Sequence, residues 1–232
     1  MGRDALTGIT PASRMKITSI EPQKKRRGRM NLYADGEFLV GVAADTLIRF
    51  GLRKGDEITP ATLGAIERAE ELLGAKTAAM RLLGVRPRTV REIRDALREK
   101  EFADDVAAET ISALSASGLL DDAAFARAYI RNTLALRPAG SILLKRKLLQ
   151  LGVDRAVADE AVGEVLGGID QADAAARVAE KFLARKRRRP AGERRLAGQL
   201  VEFLLRRGYA WEIAREASRR AMKGEFSEGE DL

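Results

Sequence analysis

An Arg-Pro step recurs three times along the chain, at Arg86-Pro87, Arg137-Pro138 and Arg189-Pro190. Each step follows one helical pattern and precedes another. Proline cannot continue a helix, because it lacks the N–H and its ring clashes with the preceding turn, yet its fixed φ suits the first turn of a new one. The three steps therefore mark the starts of three equivalent helices, with the prolines as helix starters. The apolar stripes read Val90, Ile93, Leu97, then Ile142, Leu144, Leu148, then Leu196, Leu200, Leu204. Each stripe ends in a short turn with one apolar residue: Phe102, Val153 or Tyr209. A third helix follows, carrying Val106 and Ile111, Val157 and Val162, or Ile213 and Ala217. Pro87 to Phe102 and Pro138 to Val153 are both fifteen positions, and Pro190 to Tyr209 is nineteen. Four extra residues are about one helical turn, so the apolar face keeps its register in a longer third copy.

Linking helices are expected from Asp121 to Leu136 and from Asp170 to about Lys186, each with its aspartate as N-cap. Upstream, Thr59 and Pro60 open a helical pattern that runs to Leu83, with Gly74 as a point where it divides in two. Residues 15–58 read differently. Asp35-Gly36 lies between Met30-Asn31-Leu32-Tyr33 and Phe38-Leu39-Val40, a hairpin signal because both turn positions need positive φ. A short helix is expected near Asp45 to Phe50, with turns at Gly51 and Gly55. The expected division is a tail (1–14), a strand-containing module (15–58), helical repeats (59–120, 121–169 and 170–224) and an acidic tail (225–232). The fold class is mainly α: three tandem three-helix repeats in an elongated array, preceded by a small β-hairpin-containing module.

The chain contains no Cys and no His. That removes disulfides, thiolate chemistry, imidazole base catalysis and the usual zinc sites, so neither a catalytic residue, a metal site nor a cofactor is expected. No apolar run reaches the length of a membrane span, and Met1 to Arg14 lacks a signal-peptide core; the chain reads as cytosolic. The 42 Lys and Arg against 34 Asp and Glu leave a formal charge of +8, which attracts polyanions, nucleic acid first among them. Three clusters concentrate it. Lys24, Lys25, Arg26, Arg27 and Arg29 precede the hairpin, and Lys145, Arg146 and Lys147 lie on the second middle helix. Arg185, Lys186, Arg187, Arg188 and Arg189 lead into the third, with Arg194 and Arg195 beyond. Contiguous cations wrap a helix rather than line one face, which suits a phosphate backbone better than base readout. Asp121-Asp122 reads as a helix cap and dipole complement rather than a metal or acid–base pair. Phe102, Phe125, Tyr129, Phe182 and Phe203 read as core, whereas Trp211, at a helix start, is the candidate for partner contact.

Thr89-Val90-Arg91-Glu92-Ile93 with Leu97, Lys100 and Phe102, then Gly118-Leu119-Leu120-Asp121-Asp122 and Phe125-Ala126, resembles the RecX family of recombination regulators. Arg137-Pro138 with Gly140, Leu148 and Gly152-Val153 also fits that family. The resemblance covers about residues 77–220. Thr89 stands where the family has Ser. Glu101 stands where it has Gly, a departure that bears on the turn, since a residue with a Cβ takes the left-handed conformation at a cost. Residues 15–58 resemble an N-terminal extension. The resemblance implies three tandem three-helix repeats, binding of a monomer to the RecA recombinase filament, and inhibition of its ATPase and strand exchange in DNA repair and recombination. Single-stranded or duplex DNA would be bound weakly and without sequence preference. Two readings of the residues alone stand beside it: a helix-turn-helix-like DNA-binding regulator, and a scaffold for an acidic protein.

Overall fold

The computed structural model describes residues 14–24, 26–186 and 193–227, with side chains of the last stretch described for 194–223. Packing divides the chain into two compact units. One runs to Leu82 and includes Ala96–Ser112; the other comprises Leu83–Asp95 and the chain from Ala113 onward.

The first unit opens with an antiparallel sheet of β1 (Met15–Pro22), β2 (Arg29–Ala34), β3 (Glu37–Ala43) and β4 (Glu57–Ile58), in the order β3-β2-β1-β4. The expected hairpin joins β2 to β3, and Asp35 and Gly36 take φ of 52° and 89°. One face of the sheet buries Ile17, Leu32, Val42 and Ile58 against Leu63 and Ile66 of α2 (Pro60–Leu83). Between β3 and β4 lies α1 (Ala44–Phe50), ended by Gly51 in the left-handed region. Glu70 of α2 fastens helix to sheet: it accepts from the Ala43 N–H (2.8 Å) and the Thr46 hydroxyl, and pairs with Arg29 at 3.0 Å. Thr59 caps α2, its Oγ1 accepting from the Thr62 N–H.

The expected break at Gly74 is absent, and α2 is one helix of 24 residues. A Cβ at Gly74 would stand 3.4 Å from the Phe102 ring, an ordinary contact, so the ring packs on the helix beside Gly74 without requiring a glycine there. An interior glycine costs a helix only about 1 kcal/mol, too little to break one held by packing.

The remaining helices are α3 (Val90–Glu99), α4 (Asp104–Ala116), α5 (Asp122–Leu136), α6 (Ser141–Gln150), α7 (Arg155–Leu166), α8 (Gln171–Lys186), α9 (Glu193–Arg206) and α10 (Trp211–Ser227). They complete the repeats: α2–α4, α5–α7 and α8–α10. Their middle helices α3, α6 and α9 have 10, 10 and 14 residues, so the one-turn extension of the third copy is present. The second repeat encloses Ile130, Leu144, Leu148 and Val162, and the third Leu183, Leu200, Leu204 and Tyr209.

Two expectations are corrected. Pro87 and Pro138 are not in the first helical turn; α3 and α6 begin three residues later, at Val90 and Ser141. The start belongs to the caps. Thr89 accepts from the Glu92 N–H (3.2 Å) while Glu92 accepts from the Thr89 N–H (3.1 Å), a reciprocal pair that satisfies two N-terminal donors. Gly140 holds the same place before α6. Pro190 lies outside the described residues. Nor is Ile142 part of the buried stripe: it is 53% exposed, and Leu144 is the counterpart of Ile93 and Leu200.

The middle helices end alike. Glu101, Gly152 and Gly208 all have positive φ (62°, 89° and 84°), and the next N–H bonds back to a carbonyl five residues earlier: Phe102 to Leu97, Val153 to Leu148, Tyr209 to Leu204. Glu101 thus adopts the geometry its glycine counterparts take freely. Two of these turns also receive the start of the preceding middle helix. The Thr89 hydroxyl donates to the Leu151 carbonyl at 2.7 Å, and a Cβ on Gly152 would stand 2.3 Å from Arg91. The Gly140 and Ile142 N–H groups donate to the Arg207 and Gly208 carbonyls, and a Cβ on Gly208 would stand 2.3 Å from Leu143.

Candidate polyanion interface

The docking of α6 on the turn after α9 also gathers charge. Arg137 ends α5, Pro138 and Ala139 lead into α6, and Arg206-Arg207 close α9. With Lys147 of α6 they surround a cavity of about 350 Å³, whose wall includes Tyr129 and Thr133 and no Asp or Glu. The Arg207 guanidinium donates to the Pro138 carbonyl at 3.3 Å and lies 5.1 Å over the Phe203 ring, which fixes it in place. Arg206 pairs with Glu202 at 3.1 Å. Arg137 and Lys147 are exposed and make no ion pair among the described residues. Four cations around one concavity make a local positive field able to hold a phosphate group or an acidic side chain.

The basic residues singled out from the sequence are dispersed. Lys24, Arg26 and Arg27 are exposed around the turn before β2, whereas Arg29 is taken up internally by Glu70 and the Gly41 carbonyl. Lys145 is bridged to Asp159 at 2.9 Å, Arg146 points to solvent, and Lys147 lines the cavity. Arg185 and Lys186 are exposed at the end of α8, with the Lys186 ammonium 5.8 Å over the Phe182 ring. Arg194 and Arg195 are exposed in the first turn of α9. Lys25, Arg187, Arg188 and Arg189 lie outside the described residues.

Arg137, Arg206 and Arg207 were not among the sequence candidates. Arg137 was in view as part of an Arg-Pro step, but only contacts between segments nearly 70 residues apart bring Arg206 and Arg207 to it.

The acidic pair has structural employment. Asp121 accepts from the Ala123 and Ala124 N–H groups, both at 2.9 Å, and so caps α5. Asp122 reaches to α3 and accepts from the Val90 N–H at 2.9 Å, and its burial pushes its carboxyl above the usual aspartate range. At the same helix start, the Arg86 guanidinium grips Glu92 through two hydrogen bonds (2.6 and 3.2 Å) and holds its carboxyl below the usual range. Among the described residues no cluster of three acidic ligands is present, and no helix is long and apolar enough to cross a membrane.

Comparison with known proteins agrees with this architecture. Residues 15–59 match the N-terminal domain of regulatory protein RecX, residues 75–114 the first RecX three-helix domain, and residues 121–162 the second. The chain is 30% identical to the regulatory protein RecX of Clostridium perfringens (strain 13 / Type A), over 92% of this chain and 99% of that one. It is likewise 30% identical to the RecX of Bacillus licheniformis, over 85% of this chain and 74% of the relative. A crystal structure of a regulatory protein RecX superposes with a TM-score of 0.72 at 28% identity, covering 88% of this chain and 99% of the other. The RecX of Lactobacillus salivarius shares the fold, with a TM-score of 0.58 at 23% identity over 66% of this chain and 97% of that one. With three domain matches along its length and a relative matched almost end to end, the chain belongs to the RecX family of regulatory proteins.

Proposed function

We propose that this protein regulates recombination by binding a RecA–DNA filament and slowing its ATP turnover and strand exchange. The observation that carries the reading is the cavity of Arg137, Lys147, Arg206 and Arg207, a cation-lined concavity in a chain of a regulatory family. A filament offers phosphate and acidic side chains together, and such a cavity engages either without reading sequence. The exposed Arg185, Lys186, Arg194 and Arg195 extend the attraction. The action is steric and conformational: a bound chain hinders the motions of turnover and occludes an incoming duplex.

In the first two repeats helix-turn-helix duplex reading is disfavoured by charge; only in the third does the equivalent helix, α10, carry more cations (Arg215, Arg219, Arg220 and Lys223) than carboxylates. In that architecture the helix after the turn enters the major groove. Here α4 carries Asp104, Asp105 and Glu109 with no cation, and α7 carries Asp159, Glu160 and Glu164 with one arginine. Such helices would be repelled by phosphate.

The test is RecA ATPase on single-stranded DNA with this protein added at substoichiometric amounts. The rate and the filament lifetime are expected to change; neither changing would overturn the proposal.

A further inference from the structure

One face of the third repeat departs from its counterparts. The turns at Glu101, Gly152 and Gly208 place the repeats in common register. Three residues before and after the turn, the first repeat has Arg98 and Asp104, joined by an ion pair at 2.8 Å. The third repeat has Leu205 and Trp211 there, 36% and 55% exposed. One turn further along, the second repeat closes the gap between α6 and α7 with Lys145–Asp159 at 2.9 Å. Its counterparts in the third repeat are Val201 and Arg215.

Both closures are therefore lost in the third repeat, and between α9 and α10 a groove of about 550 Å³ is open, its apolar lining Val201, Leu205 and Trp211 and its charged lining Arg215, Arg219 and Glu202, the last paired with Arg206. Gly198 lies inside α9, has no positive φ, and a Cβ there would meet nothing within 4 Å. An interior helical glycine is about 1 kcal/mol worse than alanine, and nothing among the described residues requires it. It leaves the groove floor clear. Among the described residues Arg215 has no ion pair, and Arg219, one turn on, pairs with its neighbour Glu216.

We propose that this groove docks an acidic amphipathic helix of a partner protein. Apolar side chains one turn apart enter between Val201, Leu205 and Trp211, and flanking carboxylates meet Arg215 and Arg219. The α10 wall from Trp211 to Arg219 extends about 12 Å, enough for anchors on two successive turns. The charge selects the occupant: a second copy seated face to face would bring two sets of these arginines together, and a basic helix would meet them with like charge. The site is independent of the filament reading and of the cavity around Arg137.

Trp211 is the only tryptophan in the chain, so its emission reports on the groove directly. The full chain is titrated with a synthetic helix of about four turns bearing leucine on one face and glutamate on the other, and separately with its lysine counterpart. The glutamate helix is expected to shift Trp211 emission to shorter wavelength. Affinity is expected to fall at least about tenfold in R215E, where like charges oppose. Binding is expected to be lost in G198F, which fills the groove from an open position and leaves the circular dichroism unchanged. No shift with the glutamate helix, an equal shift with the lysine helix, unaltered affinity in both variants, or a shift that grows with the chain's own concentration in the absence of peptide would each overturn the proposal, the last in favour of self-association.

Discussion

Glycine is used twice over at Gly152 and Gly208, once for positive φ and once because another helix start presses against the missing side chain. Glu101 answers only the first demand. The two kinds of position respond oppositely to substitution. Gly152→Ala is expected to destabilise by about 2–4 kcal/mol, combining left-handed strain with a clash against Arg91. Glu101→Gly is expected to be neutral or to stabilise by up to about 1 kcal/mol, since it relieves the strain and removes no packing. Urea midpoints of both variants check this; equal effects would mean that φ alone governs these turns. The turns themselves were legible in the sequence, each closing a stripe with one apolar residue. The close approach was not, because nothing local in Gly152 records that Arg91 lies over it.

At the scale of elements, local signals fared best. The Asp35-Gly36 hairpin, the caps at Thr59, Asp121 and Asp170, and the one-turn extension of α9 depend on neighbours in sequence, and the structure carries each of them. The prolines misled by three residues, because the reciprocal Thr89–Glu92 cap sets the start of α3 more firmly than φ preference does. That cap gives a pH prediction. Arg86 depresses the Glu92 carboxyl, so its stabilisation is complete above the ordinary glutamate value of about 4.3 and is lost as pH falls through the lower folded value. Asp122 has the opposite sign: its raised folded value makes protonation easier in the native state, so acid restores some stability there. Glu92→Gln keeps a cap acceptor but loses the charge. It is expected to be less stable by about 1 kcal/mol at neutral pH and to converge on the parent protein in acid. Thermal unfolding across that range measures the convergence; a gap independent of pH would show that charge is not the link.

For the whole molecule, the repeat plan was readable because three copies of one pattern corroborate one another. The cationic cavity was not, because it forms where the second repeat meets the turn of the third. Contiguous basic runs draw the eye in a sequence, but spread around a helix they converge on nothing. Arg137 and Arg207 gain significance only once Pro138 is seated against Arg207. If the cavity holds phosphate, binding to a nucleoprotein filament should weaken with salt, each contact contributing about 0.9 to the logarithmic slope on duplex and about 0.7 on single strands. The R137E/K147E variant replaces two exposed, unpaired cations, so its fold should be intact. It is expected to inhibit RecA less and to show a salt slope shallower by about 1–2. A parental slope would mean that these cations face solvent alone.

The turn at Glu101 also gives the array a polarity. The starts of α3 and α6 lean on the turn of the repeat that follows, and such a turn accepts a neighbour only where a Cβ is missing. In the first repeat a glutamate side chain occupies that place. A duplicated repeat grafted ahead of the first would therefore meet a blocked seat. By this logic the glutamate closes that face of the first repeat to the start of another middle helix.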